Sequence, residues 1–466
     1  MSIRIFQTDT PLADSNVLRL RDLLRAGTMT AAGEKNADVP AIVRDIIEQV
    51  QQRGDGAVVE LTERIDRIKL KPSELRIGPE RIRQAHLAAD GEFLKLARRV
   101  TANIRQYQQH IKVQAPPDLV KDGRRLGVRY TPMDRAGIYV PGWKAIYPST
   151  VLMTVVPAQV AGVWQIALAG PPTADGMNEM TLALAGELGI EEVYRIGGAI
   201  AIAAFALGTE TIPAVQMVAG PGNAFVAEAK MQLCGRVAID SPAGASEVLI
   251  IADETANAAH VAADMLAQAE HNPASAVLVT TWAALAAAVA REIEKQLPAL
   301  PRAAAASNSL DNYSGIIVVP SLAAACDVAN EFAAEHLQII TADNRSVLAQ
   351  IRNAGAIFLG DDTPVPLGDY VAGPSHVLPT RGLARQYGPL SVNSFLKASS
   401  VLEYDPAALA ADAADVQAFA NYEGLTAHAA AVAIRLSGEP GSQTKRTTKI
   451  TKNTKGTKNS GKRKRK

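Results

Sequence analysis

The chain has 466 residues, 48% of them hydrophobic and 20% charged, an ordinary globular balance with ample length to bury a core. No stretch reaches the ~18 uninterrupted apolar residues of a membrane helix, which excludes an integral helical membrane protein. The first 20 residues lack the apolar run of a secretory signal and carry two acids, which argues against a transit peptide.

Two cysteines, Cys234 and Cys326, support neither a disulfide framework nor a thiolate zinc site, and a reducing cytoplasm is the expected location. The formal charge of +1 conceals an uneven distribution. Residues 441–466 hold 11 Lys and Arg and no acid, so 37 of the 48 bases face 47 acids in the rest of the chain. This tail has a single large apolar residue, Ile450, and is expected to be disordered. Its charge suits nucleic-acid contact by counterion release, but a solvated extension is the favoured reading.

In chain order, residues 38–69 carry apolar residues at helical spacing, with Gly54 and Gly56 punctuating two helices. Residues 80–112 read as a further long amphipathic helical stretch. From Leu126 short β-branched runs alternate with Ala-rich helical ones through VLMTVVPAQVAGV, QIALAG, MTLALAGELG, EVYRIGG and AIAAFALG. Further units follow at EVLIIAD, SAVLVTT, SGIIVVP and LQIIT. Short apolar strands alternating with helices predict an α/β protein with parallel sheets, and the length suggests two doubly wound sheets. After Tyr387 the pattern turns helical, ending in PAALAADAADVQAFANYEGLTAHAAAVAIRL. A G-x-G-x-x-G fingerprint is missing; GPGNAF, Gly220 to Phe225, comes nearest and lacks the third glycine.

Seven histidines are present. His86, His110 and His260 lie in charged helical stretches and read as surface residues. The other four fall in polar clusters. Gln268 and His271, three apart near a helix end, share one face, where an amide oxygen and an imidazole can converge on a cation. A satisfied helix-end histidine fits the same spacing. Glu335 and His336 adjoin at a helix-to-strand junction, as acid/base groups do, and as macrodipole-stabilised histidines do. Asp369 and His376 occupy a Gly- and Pro-rich loop, and Glu423 and His428 a helical segment. Together these donors suit zinc or manganese without cysteine, while a polar loop and a helix-surface histidine are the alternative.

Ten collinear motifs then resemble the histidinol dehydrogenase family: GIYVPG, YPSTVLM, YRIGGA, GTETIP, GPGNAFVAEAK, AGASEVLIIAD, AQAEH, AAEHLQI, GDYVAGPSHVLPT and EGLTAHA. The match runs from about Ala41 to Leu436. The resemblance implies NAD-dependent four-electron oxidation of L-histidinol through L-histidinaldehyde to L-histidine, the last step of histidine biosynthesis. It implies a homodimer with shared active sites and one zinc per subunit, held by Gln268, His271, Asp369 and His428. Glu335 and His336 would be the acid/base pair. Ser246, Glu423, His336 and the zinc ligands would contact substrate, and Tyr139 and Asn223 would contact NAD.

The implied fold is two incomplete Rossmann-like doubly wound domains with small helical extensions. Expected boundaries are an N-terminal arm at 1–25, a discontinuous substrate domain at 26–138 and 246–388, and a cofactor domain at 139–245. A C-terminal helical segment exchanged in the dimer follows at 389–440, then the tail at 441–466. Three positions depart from the family pattern: Ile200 stands for a Gln expected at the cofactor, Trp143 for a Gly, and Ser375 for an Asn. A same-scaffold dehydrogenase of another polar alcohol, such as a sulfonated diol, is the alternative, although Ser246, Tyr370 and EGLTAH look more like the histidinol enzymes.

Overall fold

The structure, a computed structural model, describes residues 3–26, 29, 38–142, 147–174 and 176–437. Trp143 and the basic tail lie outside these residues. The chain divides into two compact units, one formed by residues up to 114 with 130–398, the other by 115–129 with the residues from 399. Among the described residues, no helix is long and apolar enough to cross a membrane.

The first half of the chain contributes strands β1 (Ile5–Gln7), β2 (Arg76–Ile77), β3 (Leu119–Lys121), β4 (Arg124–Pro132) and β5 (Arg135–Tyr139). Then come β6 (Gln165–Gly170), β7 (Glu192–Arg195), β8 (Met217–Ala219), β9 (Ala238–Ile239) and β10 (Ser246–Ala252). The last five are β11 (Ala274–Thr280), β12 (Gly315–Val318), β13 (His336–Ile340), β14 (Ala356–Leu359) and β15 (Leu396–Tyr404). The first unit holds two six-stranded sheets, ordered β1-β12-β11-β10-β13-β14 and β2-β7-β6-β5-β8-β9. Within these two sheets every described pairing is parallel except β2 with β7.

Both sheets are covered on two faces, which is why their strands read as unbroken apolar runs. In the first sheet Val248 and Ile250 pack with Val261, Met265 and Leu285 on one side. Their neighbours Leu249 and Ile251 pack with Leu20, Val328 and Phe332 on the other. In the second sheet Ile138 and Leu168 face Val151, Val155 and Leu182, while Tyr139, Ala167 and Ala169 face Val50, Leu61 and Ile202.

The strand pairing corrects the expected boundaries. β2 and β5, which lie at or before residue 139, belong to the second sheet, and the 138/139 boundary falls inside β5. The residues before 25 are not a free arm: β1 pairs with β12 as the edge of the first sheet. Sequence patterning identifies an apolar run but not its partner, so a strand of the wrong sheet looks the same. Two elements also differ in type. VLMTVVPAQVA is helical, Pro148–Ala161, despite its β-branched residues and internal Pro157. Ten of its side chains are buried, and tertiary packing overrides a preference worth only tenths of a kcal/mol per residue. The stretch after Tyr387 is interrupted by β15 before its helices Pro406–Tyr422 and Thr426–Leu436 begin.

The second unit carries a three-stranded sheet, β15-β4-β3, and that helix pair. Arg124 holds Asp412 of the first helix through two hydrogen bonds, Nε to Oδ2 at 2.8 Å and a shorter one from Nη2 to Oδ1.

Candidate active site

The acid/base candidates sit at the amino ends of strands in the first sheet. Ser246 and Glu247 open β10, and His336 opens β13 in register with Val248. Glu247 is the only charged residue in a strand that is otherwise apolar after Ser246, and it is fully buried. Its N–H donates to Glu335 Oε2 at 2.9 Å, and the Ser246 hydroxyl donates to the same oxygen at 2.5 Å. Glu247 Oε1 accepts from the Arg381 N–H at 2.6 Å, and its carbonyl oxygen lies 3.0 Å from His336 Nδ1.

A carbonyl only accepts, so Nδ1 of His336 keeps its proton in either charge state, and Nε2 is the nitrogen that gains or loses one. Nε2 has no hydrogen-bond partner and lies 3.6 Å from Asp369 Oδ1, while Nδ1 lies 3.6 Å from Glu335 Oε2. Burial alone would lower the imidazole pKa, but Glu335, Asp369 and the Glu247 carbonyl outweigh it and hold it at about 9. Burial raises Glu335 above the ordinary carboxyl range, opposed by His336 and the two donors on Oε2. Burial also raises Glu247 well above that range, with the Glu335 charge adding to it.

Gln268 lies in the last turn of the helix Ala258–Ala269, and the His271 N–H donates to its carbonyl at 3.3 Å. Gln268 is buried and its Nε2 has no partner. His271 stands at the surface of the site, yet enough protein surrounds its ring for desolvation to hold it below the ordinary imidazole value. Asp369 ends up below its ordinary value, because His336, His376 and His271 together outweigh its burial. Asp369 lies in the short helix Pro366–Tyr370, and the loop that follows ties the rims of the two sheets together. His376 Nδ1 lies 2.9 Å from the Asp369 carbonyl, and its Nε2 lies 3.3 Å from Thr150 Oγ1 in the first turn of the helix after β5. The Ser375 hydroxyl donates to the Met153 carbonyl at 3.0 Å, and the Gly244 N–H donates to Thr380 Oγ1 at 2.6 Å.

Among the described residues, no group of three or more His, Cys, Asp or Glu is placed to hold a metal ion. Gln268, His271 and Asp369 lie together in the first unit; Glu423 and His428 are exposed on the second.

The cofactor-side candidates line the carboxyl ends of the second sheet. Tyr139 closes β5 at 4% exposure; its hydroxyl accepts from the Gly198 N–H at 3.2 Å, and burial pushes its pKa to about 12. Asn223 caps the helix Ala224–Leu233, its Oδ1 accepting from the N–H groups of Phe225 and Val226. Ile200, in the first turn of the helix Gly198–Leu207, is 1% exposed within the core. Gly220 has φ +120°, and a Cβ there would stand 2.0 Å from the Tyr139 carbonyl oxygen, so only glycine fits. A buried ion pair grips that peptide: the Lys230 ammonium donates to the Gly220 carbonyl at 2.5 Å and to Asp240, which accepts from the Gly220 N–H at 2.7 Å.

Sequence reasoning did not single out Glu247, Thr150 or the Lys230–Asp240 pair. A lone carboxylate opening an otherwise apolar strand was the one available signal.

Two doubly wound sheets, parallel but for one edge strand, with a carboxylate–imidazole pair at a rim of one and a glycine-requiring turn at the carboxyl ends of the other, fit an α/β enzyme. A sequence model of the histidinol dehydrogenase family matches residues 29–436. The chain is 49% identical over 396 residues to histidinol dehydrogenase from Geobacillus kaustophilus, covering 84% of this chain and 93% of the relative. It is 47% identical over 395 residues to the Rhodopirellula baltica enzyme, covering 84% and 86%. The crystal structure of histidinol dehydrogenase from Elizabethkingia anophelis superposes with a TM-score of 0.84 at 32% identity, covering 93% of this chain and 98% of that one. The chain belongs to the histidinol dehydrogenase family of oxidoreductases.

Proposed function

We propose that the protein oxidises L-histidinol through the aldehyde to L-histidine, with two molecules of NAD as successive hydride acceptors and zinc as the resident metal. The observation that carries this reading is His336, whose Nδ1 faces the Glu247 carbonyl while Nε2 is buried, unpartnered and beside Asp369. Once the ring is neutral, that geometry leaves Nε2 to take the alcohol proton as hydride leaves the adjacent carbon. Glu335 keeps Oε2 fixed by Ser246 and Glu247, so its other oxygen is the one that deprotonates the water adding to the aldehyde.

The donor set fits zinc. Gln268, His271 and Asp369 are an amide oxygen, an imidazole and a carboxylate, the donor types zinc takes, and His271 and Asp369 feel each other's charge. Three ligands from one subunit leave the fourth position to His428, which we assign to the second copy of a homodimer. When bound, zinc would supply a positive charge beside Asp369 and a Lewis acid to position the substrate's nitrogen donors. The crevice formed by Tyr139, Gly220 and the helix after Asn223 is read as the NAD side.

Turnover of L-histidinol with NAD tests this reading, with and without chelator. The wild-type enzyme is expected to form two NADH per histidinol and to stop when stripped of metal. His271→Ala is expected to lose bound metal and activity together. A metal-free His271→Ala enzyme with full activity would overturn the zinc assignment.

A further inference from the structure

Asp66 ends the helix Asp55–Asp66, at the negative end of that helix dipole, where a carboxylate is disfavoured. Its Oδ2 is buried and has no hydrogen-bond partner. Among the described residues it makes no ion pair, and burial is the one influence moving its pKa, up to about 6. A Cβ at Gly197 would come within 3.5 Å of Asp66 Oδ2 and 3.4 Å of Pro171 Cα. Gly197 caps the helix Gly198–Leu207, the Tyr139 hydroxyl accepts from Gly198, and Tyr139 feels the Asp66 charge. Asp66 therefore stands at the carboxyl ends of β5, β6 and β7, in the crevice where doubly wound folds take nucleotides.

We infer that Asp66 is a cofactor-binding residue that accepts hydrogen bonds from a ribose diol of the dinucleotide. This rests on the NAD reading above and assigns a contact within it. A desolvated carboxylate without a partner disfavours the free protein by its own burial, and hydroxyl donors from a ligand remove that penalty. It also rejects phosphate, so the charge selects NAD over a cofactor bearing a 2′-phosphate. Ile200, fully apolar in the first turn of the same helix, offers the cofactor no polar contact, which gives the carboxylate more of the task.

The experiment compares the purified full-length, metal-loaded wild type with Asp66→Asn and Asp66→Ser, using L-histidinol with NAD or NADP. Both variants are expected to raise KM for NAD by about tenfold or more, with kcat within about twofold and KM for histidinol unchanged. The preference for NAD over NADP should narrow, and melting temperature without cofactor should not fall. An unchanged KM for NAD in a folded variant overturns the inference, as does a fall in stability that drags all kinetic constants down together. If neither variant folds, the wild type still decides: about tenfold or greater preference for NAD over NADP supports the role of the carboxylate, and equal use overturns it. A wild type that binds no NAD at all would instead sink the cofactor reading itself, and this inference with it.

Discussion

Glu335 has two oxygens in different circumstances, and under the proposed function this would divide the two half-reactions. Oε2 is held by the Ser246 hydroxyl and the Glu247 N–H, so an amide at this position keeps its carbonyl there and loses the free, proton-accepting oxygen. Glu335→Gln is therefore expected to slow oxidation of supplied histidinaldehyde by about 10²-fold or more, with a smaller loss in the alcohol step. Single-turnover assays started from each substrate measure the two separately; equal losses would show that Glu335 serves both steps. At this scale the candidate residues His271, His336 and Asp369 were legible, because each sits in a polar cluster of the sequence, and His336 and Asp369 do come within 3.6 Å of each other. What was not legible is Glu247, whose carbonyl sets the His336 tautomer through a backbone atom carrying no sequence signal. Ile200 was legible as a departure from a family pattern, but its place in the core is set by helix packing that only the fold supplies.

The second sheet is locked at its centre by an element-level network rather than by single contacts. Arg135 of β5, 7% exposed, donates to the Glu192 carboxylate of β7, to Gln165 Oε1 of β6 at 3.1 Å and to the Pro213 carbonyl at 3.3 Å. The Tyr194 hydroxyl donates to Glu192 Oε1 as well. Glu192→Gln leaves the buried guanidinium with neutral acceptors only and is expected to cost about 3 kcal/mol in urea unfolding at neutral pH. The pH dependence follows from Glu192 itself. Burial alone would raise its pKa, but Arg135 and Tyr194 outweigh burial and hold it below 4.5. Its contribution is therefore present above the ordinary value and lost as pH falls through the depressed one. The stability gap between wild type and Glu192→Gln should narrow as pH drops below about 4, and a constant gap would show that packing rather than charge is being measured. Elements were readable where burial is one-sided, as in the helix Gly91–Ile111, whose apolar stripe is Leu94, Ala97, Val100 and Ile104. They were not readable where burial is all-round: Pro148–Ala161 has no polar face, so its periodicity cannot distinguish helix from strand. The loop from Asp369 to Arg381 was legible as polar, but its bonds to the helix at Thr150 and to Glu247 at the first-sheet rim reach 226 and 134 residues along the chain.

At the scale of the whole molecule, the assignment of His428 to a partner subunit makes a test that a single chain cannot pass. The helices Pro406–Tyr422 and Thr426–Leu436 leave Phe419 71%, Tyr422 89% and Ile434 69% exposed, apolar surface of the sort that a second copy covers. His428 is exposed on the same pair, beside a hollow lined by Asp412, Asp415, Phe419 and Glu423. If each site joins Gln268, His271, Glu335, His336 and Asp369 of one copy to Glu423 and His428 of the other, two-fold symmetry requires the exchange to be reciprocal. His336→Ala and His428→Ala homodimers are then both expected to be inactive, since every site carries one lesion. In a heterodimer of the two, one site collects both lesions and the other collects none. Co-refolding equal amounts should therefore restore activity to about a quarter of wild type, because half of randomly formed dimers are mixed and each mixed dimer has one intact site of two. The assay is NADH formation from L-histidinol, with heterodimer content confirmed by native mass spectrometry. If each site is built within one chain, the lesions never separate and the mixture stays inactive however many heterodimers form; that outcome would return His428 to its own subunit.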